Sequence, residues 1–303
     1  MASGLVLLEH VNFKVPYLTG EAEIRSFFVQ ALGCPECPPG RLKVCNDSDA
    51  NSLLLLPNGT DKQMHVNLGA HSQIHFEFCT CLGQPYLVAQ QFLGSITLEV
   101  LDLEKIAANL TGINHPFRMN NQQQLVVQDP FGMTTWMLVQ AKPTPPPPKC
   151  IRPGGVGNVL TLKRVEVWCD FDPALAIEFY STRFGAKTDL GSVYTQYNQE
   201  LAFVHSSIGL KPHNSSKFAI HLCLYVSDFA NVCRKLEPVF WVNPDYVGPP
   251  INDRVQTAQE AIARKQFRIR RIGRGMTLEH EIRAIDHPLS PFPQPSSLLL
   301  SSL

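Results

Sequence analysis

Gly275-Met276-Thr277-Leu278-Glu279-His280-Glu281-Ile282-Arg283 is the last regular stretch of the chain, and it repeats an earlier one. The earlier stretch is Gly132-Met133-Thr134-Thr135-Trp136-Met137-Leu138-Val139. Aligning the two Gly-Met-Thr triplets places Glu279 opposite Trp136. We expect both stretches to form the closing β-strand of a repeated unit.

Two further segments repeat in the same order along the chain. Residues 8–13 match residues 162–167, and residues 94–103 match residues 219–229 through a shared Val-x-Asp-hydrophobe sequence. The chain therefore looks like a duplicated domain, in which the polar residues of the strands differ between the two copies. The repeat predicts the architecture more strongly than the function.

The composition excludes several classes of protein. At 303 residues the chain is long enough for two domains, and its 26 basic and 26 acidic residues balance, so nothing indicates nucleic-acid or acidic-lipid partners. No apolar run reaches the roughly 18–20 residues of a membrane helix, and no secretory signal pattern is present. Nine scattered cysteines suit reduced thiols. We predict a soluble cytoplasmic protein, either a monomer or a homodimer.

The periodicity indicates a unit of one strand, one helix and two or three further strands. Residues 5–15 alternate as a half-buried strand, and an amphipathic helix over residues 19–32 follows and ends at Gly33. The same pattern restarts near residues 95, 160 and 218, which gives four βαβββ units. Residues 69–91 have no clear place in this scheme. We treat them as an insertion, although residues 73–78 read as a strand.

A proline- and glycine-rich segment divides the chain. It includes four consecutive prolines at 145–148, and it predicts a linker at residues 143–157. The division predicts a first domain at 1–142, a second domain at 158–289, and a disordered tail at 290–303.

Four βαβββ units in two tandem pairs, with Asp129-Pro130-Phe131-Gly132 before a closing strand, resemble the vicinal oxygen chelate superfamily. That superfamily includes glyoxalase, bleomycin-resistance proteins and type I extradiol dioxygenases. Residues 221–229, 266–268 and 278–283, with His287-Pro288, look closest to uncharacterised two-domain members. The resemblance implies an α+β fold of two tandem domains, each a concave mixed sheet whose inner face can hold a divalent metal. It is specific for fold and weak for activity.

The resemblance also implies where metal ligands would lie, namely on the first strand of each unit and on the last strand. His221 and Glu279 match two such positions in the second domain. The third position falls on Arg164, which cannot bind a metal, and Glu166 on the same face of that strand is the substitute. This departure counts against an extradiol-type iron centre, which needs two histidines and one carboxylate. Iron, manganese, nickel and zinc are all compatible with such ligands.

Other polar residues are expected to line a substrate cavity. The predicted substrate-binding residues are Arg164, Tyr225, Glu281, His10 and Trp136. His10 is at the first ligand position of the first domain, where Trp136 replaces the carboxylate. The first domain is therefore predicted to be degenerate.

Strand alternation also predicts the environment of His280 and of the basic residues in the second domain. His280 alternates with apolar residues and is predicted to be a hydrogen-bonded core histidine. In the basic run 264–274, strand alternation is expected to place Arg268 and Arg270 on a solvated face, where an anionic substrate group could use one of them.

Two functions remain open at this stage. The first is a protein that binds a small oxygen-rich or aromatic molecule in the second domain, with metal-dependent lyase, isomerase or dioxygenase chemistry. The second is a metal-free binding module or pseudoenzyme, which Arg164 and Trp136 favour. A third possibility, a scaffold without a ligand, predicts an ion pair between Arg164 and Glu279 that fills the cavity.

Overall fold

The structure is a computed structural model of the chain. It describes residues 4–37, 63–78, 85–132, 134–142, 154–206, 221–242, 255–272 and 276–292. No helix within those ranges is long and apolar enough to span a membrane.

The elements fall into four units. Unit 1 contains β1 (Leu5–Lys14), α1 (Gly20–Ile24) continued by a π-helical turn (Arg25–Ala31), β2 (Glu36–Cys37), β3 (Gln63–Leu68) and β4 (Ser72–Glu77). Unit 2 contains β5 (Gly94–Val100), α2 (Leu103–Gly112), β6 (Phe117–Met119), β7 (Leu125–Gln128) and β8 (Thr135–Gln140). Unit 3 contains β9 (Val159–Cys169), α3 (Pro173–Phe184), β10 (Lys187–Asp189), β11 (Ser192–Tyr194) and β12 (Glu200–His205). Unit 4 contains β13 (His221–Val226), α4 (Phe229–Leu236), a 3₁₀ turn (Glu237–Val239), α5 (Ala258–Arg264), β14 (Gln266–Ile272) and β15 (Met276–Ala284).

The strands form two mixed sheets, which confirms the predicted α+β class. The seven-stranded sheet has the order β14-β15-β13-β1-β4-β3-β2, and the eight-stranded sheet has the order β10-β11-β12-β9-β5-β8-β7-β6. At the centre of each sheet two first strands run antiparallel, β1 with β13 and β5 with β9. Unit 1 therefore shares a sheet with unit 4, and unit 2 shares a sheet with unit 3.

This pairing corrects the expectation that each half of the chain closes its own sheet. Units 2 and 3 follow one another along the chain and pair with each other, which leaves the terminal units 1 and 4 to form the other sheet. The segment treated as an insertion also contains β4, a strand of the seven-stranded sheet. Most of the predicted linker (143–153) and of the predicted tail (293–303) lies outside the described residues.

Local sequence explains where two of the helices begin. The Asp102 side chain accepts a hydrogen bond from the Lys105 backbone N–H at the start of α2. The Asp172 side chain accepts one from the Ala174 N–H at the start of α3, where Pro173 occupies the first turn. Both caps depend only on residues next to them in the chain.

One apolar core connects the two sheets. Val11 and Phe13 of β1 are buried on the face that packs inward, and Phe28 lies beside them. The ring of Trp136 from β8 lies 5.1 Å from Phe28 and 6.1 Å from Phe13, centroid to centroid. Trp136 is thus a core residue with 1% of its surface exposed. Its predicted role in substrate binding is wrong, because strand alternation turns it away from the concave face.

Candidate functional site

The concave face of the seven-stranded sheet collects polar residues from both ends of the chain. In the β1–β13 ladder His10 is opposite Cys223 and Asn12 is opposite His221. In the β13–β15 ladder Cys223 is beside Glu281. Because cross-strand partners point to the same side of a sheet, these side chains share one surface.

Two histidines and one glutamate from three strands converge on a single point. The Nε2 atoms of His10 and His221 are 3.1 Å apart. Oε2 of Glu281 lies 3.9 Å from His10 Nε2 and 3.8 Å from His221 Nε2. The point equidistant from these atoms is about 2.1 Å from each, the circumradius of that triangle, and metal bonds to imidazole and carboxylate measure roughly 2.0–2.2 Å. We call these residues the His-His-Glu triangle. His221 is its most exposed member, with 11% of its side chain accessible.

Glu9 orients the first histidine of the triangle. An irregularity in the β1–β13 register between Leu8 and His10 allows both Glu9 and His10 to face the site. Oε2 of Glu9 accepts a hydrogen bond from Nδ1 of His10 at 2.5 Å, which leaves Nε2 directed at His221. A carboxylate on the second nitrogen of a histidine is the usual support of a metal-bound imidazole.

A stack of imidazole rings borders the triangle. The rings of His10 and His75 are 3.8 Å apart, and those of His75 and His65 are also 3.8 Å apart. Burial, followed by the neighbouring charge of His10, holds the pKa of His75 well below its ordinary value. Burial, followed by Arg268, does the same to the pKa of His221. Both rings are therefore neutral at neutral pH, which is the form that binds metals.

Two buried guanidiniums hold the carboxylates of the site. Arg268 donates to Oε1 of Glu279 at 2.6 Å and to Oε2 of Glu281 at 2.9 Å. Arg283 forms an ion pair with Oε1 of Glu281. Burial raises the pKa of Glu281, but Arg283 and Arg268 outweigh it and bring the pKa below its usual range. Glu281 is therefore ionised, and Arg268 shares the oxygen that belongs to the triangle.

The donor set fits a divalent metal. Two imidazoles and one ionised carboxylate suit iron, manganese, nickel or zinc. The buried Oδ1 of Asn12, in register with His221, has no hydrogen-bond partner among the described residues. Cys223 lies beside His10 and Glu281, with their ligand atoms within 4.8 Å of one another. Burial raises the pKa of its thiol, however, so Cys223 is not in the thiolate form that binds metal.

The predicted ligands His221 and Glu279 do lie on one face, but Glu281 completes the triangle. Oε1 of Glu279 is 3.9 Å from Nδ1 of His221, whereas Nε2 of His221 points to His10 and Glu281. Tyr225 is fully buried, and its hydroxyl accepts a hydrogen bond from Arg283 at 3.3 Å.

The predicted role of Glu166 as a third ligand is wrong, because Arg164 and Glu166 lie in the other sheet. Arg164 donates to Glu166 at 2.8 Å and to Glu200 at 2.5 Å on the concave face of the eight-stranded sheet. The ion pair expected between Arg164 and Glu279 is therefore also absent, since Glu279 pairs with Arg268. Both errors follow from the unexpected pairing of the units.

The prediction for His280 is confirmed. Its side chain is fully buried, Nδ1 donates to the carbonyl of Leu278 at 2.7 Å, and Nε2 accepts from the hydroxyl of Tyr180. Burial lowers the pKa of His280 to about 4. It is a core residue that links β15 to α3.

Several site residues were not predicted. They are Glu9, His75, Arg268 as a carboxylate partner, and Arg283. His75 could have been found, because it alternates with apolar residues in a segment recognised as a strand. Glu9 could not, because nothing local marks the irregularity in β1.

The comparisons with known proteins agree with this architecture. No protein-family model and no curated protein matches the chain. Among solved structures, a glutamine-for-glutamate variant of glyoxalase I from Zea mays is 13% identical, with a TM-score of 0.54 over 91% of this chain and 93% of that chain. A dioxygenase candidate from Bacillus subtilis is 12% identical, with a TM-score of 0.54 over 99% of this chain and 95% of that chain. The chain has the vicinal oxygen chelate fold.

In this vicinal oxygen chelate fold the two concave faces differ in chemistry. The seven-stranded sheet carries the His-His-Glu triangle, whereas the eight-stranded sheet has an arginine between two glutamates at its centre. Identities of 12–13% show the shared fold alone. The function therefore has to be argued from the side chains of this chain.

Proposed function

We propose that the concave face of the seven-stranded sheet binds one divalent metal and a small molecule with two neighbouring oxygen atoms. The protein ligands are His10 Nε2, His221 Nε2 and Glu281 Oε2. The observation that carries the proposal is the spacing of these three atoms, because the circumradius of their triangle, about 2.1 Å, equals the length of a metal–ligand bond. Two histidines and one carboxylate leave coordination positions for substrate oxygens.

The surrounding residues have separate tasks in this proposal. Glu9 sets the ring orientation of His10, and Arg283 and Arg268 keep Glu281 ionised and in place. The stacked rings of His75 and His65 exclude water from one side. A divalent metal at this point would supply Lewis acidity towards the substrate oxygens, the chemistry of lyases, isomerases and dioxygenases of this fold.

A second candidate function, a metal-free binding module, is favoured by one contact. Arg268 donates to the same Glu281 oxygen that would bind the metal, so that carboxylate already has a cationic partner. In that case Nε2 of His10 and Nε2 of His221 share a proton in a hydrogen bond, and the cavity receives the ligand alone.

Elemental analysis separates the two candidates. Full-length protein would be purified without chelators, and its metal content would be measured before and after incubation with iron(II), manganese, nickel or zinc. We expect close to one equivalent in the wild type and a loss of at least about tenfold in affinity in His221→Ala and Glu281→Gln. His205→Ala, an exposed histidine of β12, is the matched control and should bind as the wild type does.

Two results would count against the metal centre. One is a wild type that takes up none of the four metals. The other is a His221→Ala variant that binds metal as tightly as the His205→Ala control, because the metal would then be held elsewhere.

A further inference from the structure

Arg270 is a cation of β14, the edge strand beside β15, and it has no anionic partner among the described residues. The Nε atom of Arg270 is buried and makes no hydrogen bond to any residue that the structure describes. The two other arginines of the site differ in this respect, because Arg268 and Arg283 are both paired with glutamates. A half-buried guanidinium without an acid has an unused capacity to bind an anion.

The neighbouring aromatic residue places Arg270 on the concave side. Phe240 forms a bridge with Ile269 and stacks on Phe267 at 4.4 Å, so Phe240 faces the core. Trp241, the next residue, therefore points to the opposite, concave side. The guanidinium of Arg270 lies 5.2 Å from the centroid of the Trp241 ring. This cation–π contact holds the guanidinium without neutralising its charge.

The position of Arg270 in the sheet sets its distance from the triangle. β14 is two strands away from β13, which corresponds to about 10 Å between the backbones of Arg270 and His221. The register places Arg270 close to the level of Glu279, which is directly opposite His221. A substrate that contains one aromatic ring, together with an arginine side chain extended along the face of the sheet, would cover this separation.

We propose that Arg270 binds a carboxylate of the substrate, so that the substrate class is a small acid with two neighbouring oxygens at the other end. The planar guanidinium matches a carboxylate in a two-point contact, and the ring of Trp241 supports it from one face. This inference rests on the proposed function, since the triangle holds the oxygen end. Arg270 acts here as a specificity-determining residue.

A pair of probes that differ only in charge tests the assignment. 3,4-Dihydroxybenzoate and its neutral amide, 3,4-dihydroxybenzamide, would be titrated calorimetrically into metal-loaded full-length protein. We expect the acid to bind at least about tenfold more tightly than the amide in the wild type. Arg270→Met should abolish this preference, and Arg270→Lys should retain part of it. Arg271→Met, a change at the exposed neighbour on β14, is the matched control and should leave the preference intact.

Each remaining outcome is decisive. Equal binding of acid and amide, binding of neither probe, or a preference that survives in Arg270→Met would overturn the role of Arg270. Metal content, measured on the same samples, would show separately whether the proposed metal centre stands. If no metal binds, the proposed function fails, and the acid–amide difference measured on metal-free protein still decides the assignment of Arg270.

Discussion

At the scale of single residues, the site depends on groups that are distant in the chain. His10 and His221 are 211 positions apart, yet their Nε2 atoms are 3.1 Å from each other. Glu9 is the residue that makes His10 suitable as a ligand, because it accepts a hydrogen bond from Nδ1 and leaves Nε2 directed into the site. The neighbouring guanidiniums keep the glutamate of the triangle ionised.

The contact between Glu9 and His10 can be tested with a change that keeps the shape of the side chain. Glu9→Gln removes the charge that supports the imidazole, and we expect metal affinity to fall by about 10- to 100-fold. A competition titration against a chromophoric chelator would measure it. Glu99→Gln, at a partly exposed glutamate that pairs with Lys163, is the control and should change nothing. Unaltered affinity in Glu9→Gln would show that Glu9 has no role in metal binding.

Buried histidines should make the fold sensitive to acid, and His287 allows a test away from the triangle. Burial, followed by Arg283, lowers the pKa of His287 to about 3 from an ordinary value of 6.5. Between these values the unfolded chain binds a proton that the folded chain does not. His287 therefore contributes full stability above about pH 6.5 and loses it as the pH falls towards 3, a change of the order of a few kcal/mol.

His287→Asn should reduce the dependence of the free energy of unfolding on pH between about pH 3 and pH 6.5. Asparagine does not titrate, and its side-chain oxygen can accept the Leu289 N–H bond that Nδ1 of His287 now accepts. Urea unfolding between pH 7 and 4 would show a smaller decrease in the free energy of unfolding for the variant than for the wild type. His205→Asn, at an exposed histidine, should follow the wild type. Parallel profiles for wild type and His287→Asn would refute the assignment.

At the scale of elements, the turn between β11 and β12 connects unit 3 through hydrogen bonds to β1, the strand that carries His10. The Gln199 side chain accepts a hydrogen bond from Leu8 N–H at 2.8 Å and donates to the Leu8 carbonyl at 2.8 Å. It also donates to Ser72 Oγ at 2.9 Å. The amide of Gln199 thus pairs with β1 as a strand residue would. It does so next to the irregularity that brings Glu9 to His10.

Gln199→Leu should remove this connection while nearly preserving side-chain volume. The Leu8 N–H would lose its partner in a buried setting, whereas the Leu8 carbonyl would keep the hydrogen bond from the Ser72 hydroxyl, and we expect a loss of about 1–3 kcal/mol in the free energy of unfolding. Chemical denaturation would measure the loss, and hydrogen exchange should show a less protected Leu8 amide. Gln196→Leu, on the exposed part of the same turn, is the control. Equal stability of the two variants would contradict the proposed connection.

At the scale of the whole molecule, the two halves of the chain depend on each other. The central ladders β1–β13 and β5–β9 both join a strand from before the proline-rich segment to a strand from after it. Neither half contains the central partner of its own first strands. An unpaired first strand would expose a row of backbone hydrogen-bonding groups at an apolar edge.

Expression of the halves as separate fragments tests this dependence. Residues 1–142 and 154–303 are each expected to be aggregated or largely unfolded alone, and to form a soluble complex when produced together. Near-ultraviolet circular dichroism and sedimentation would follow both states. A monomeric 1–142 fragment with a cooperative unfolding transition would contradict the interdependence and support an independent first domain.

Much of the architecture could be predicted from the sequence because it depends on neighbouring residues. Alternation along β13 and β15 correctly separated the polar face with His221 and Glu281 from the apolar face. Caps such as Asp102 and Asp172 were likewise predictable. The internal repeat predicted four units and an α+β fold, and the structural likeness confirms that fold.

By itself, the sequence determined which face of strands such as β13 and β15 is polar and how many units there are, since alternation and repetition are properties of the local sequence pattern. Only the tertiary structure decided which units share a sheet. First strands can pair equally well in several combinations, and the free energy of the whole assembly selects one. That choice placed His10 with His221 and Glu281, and it placed Glu166 on the other sheet.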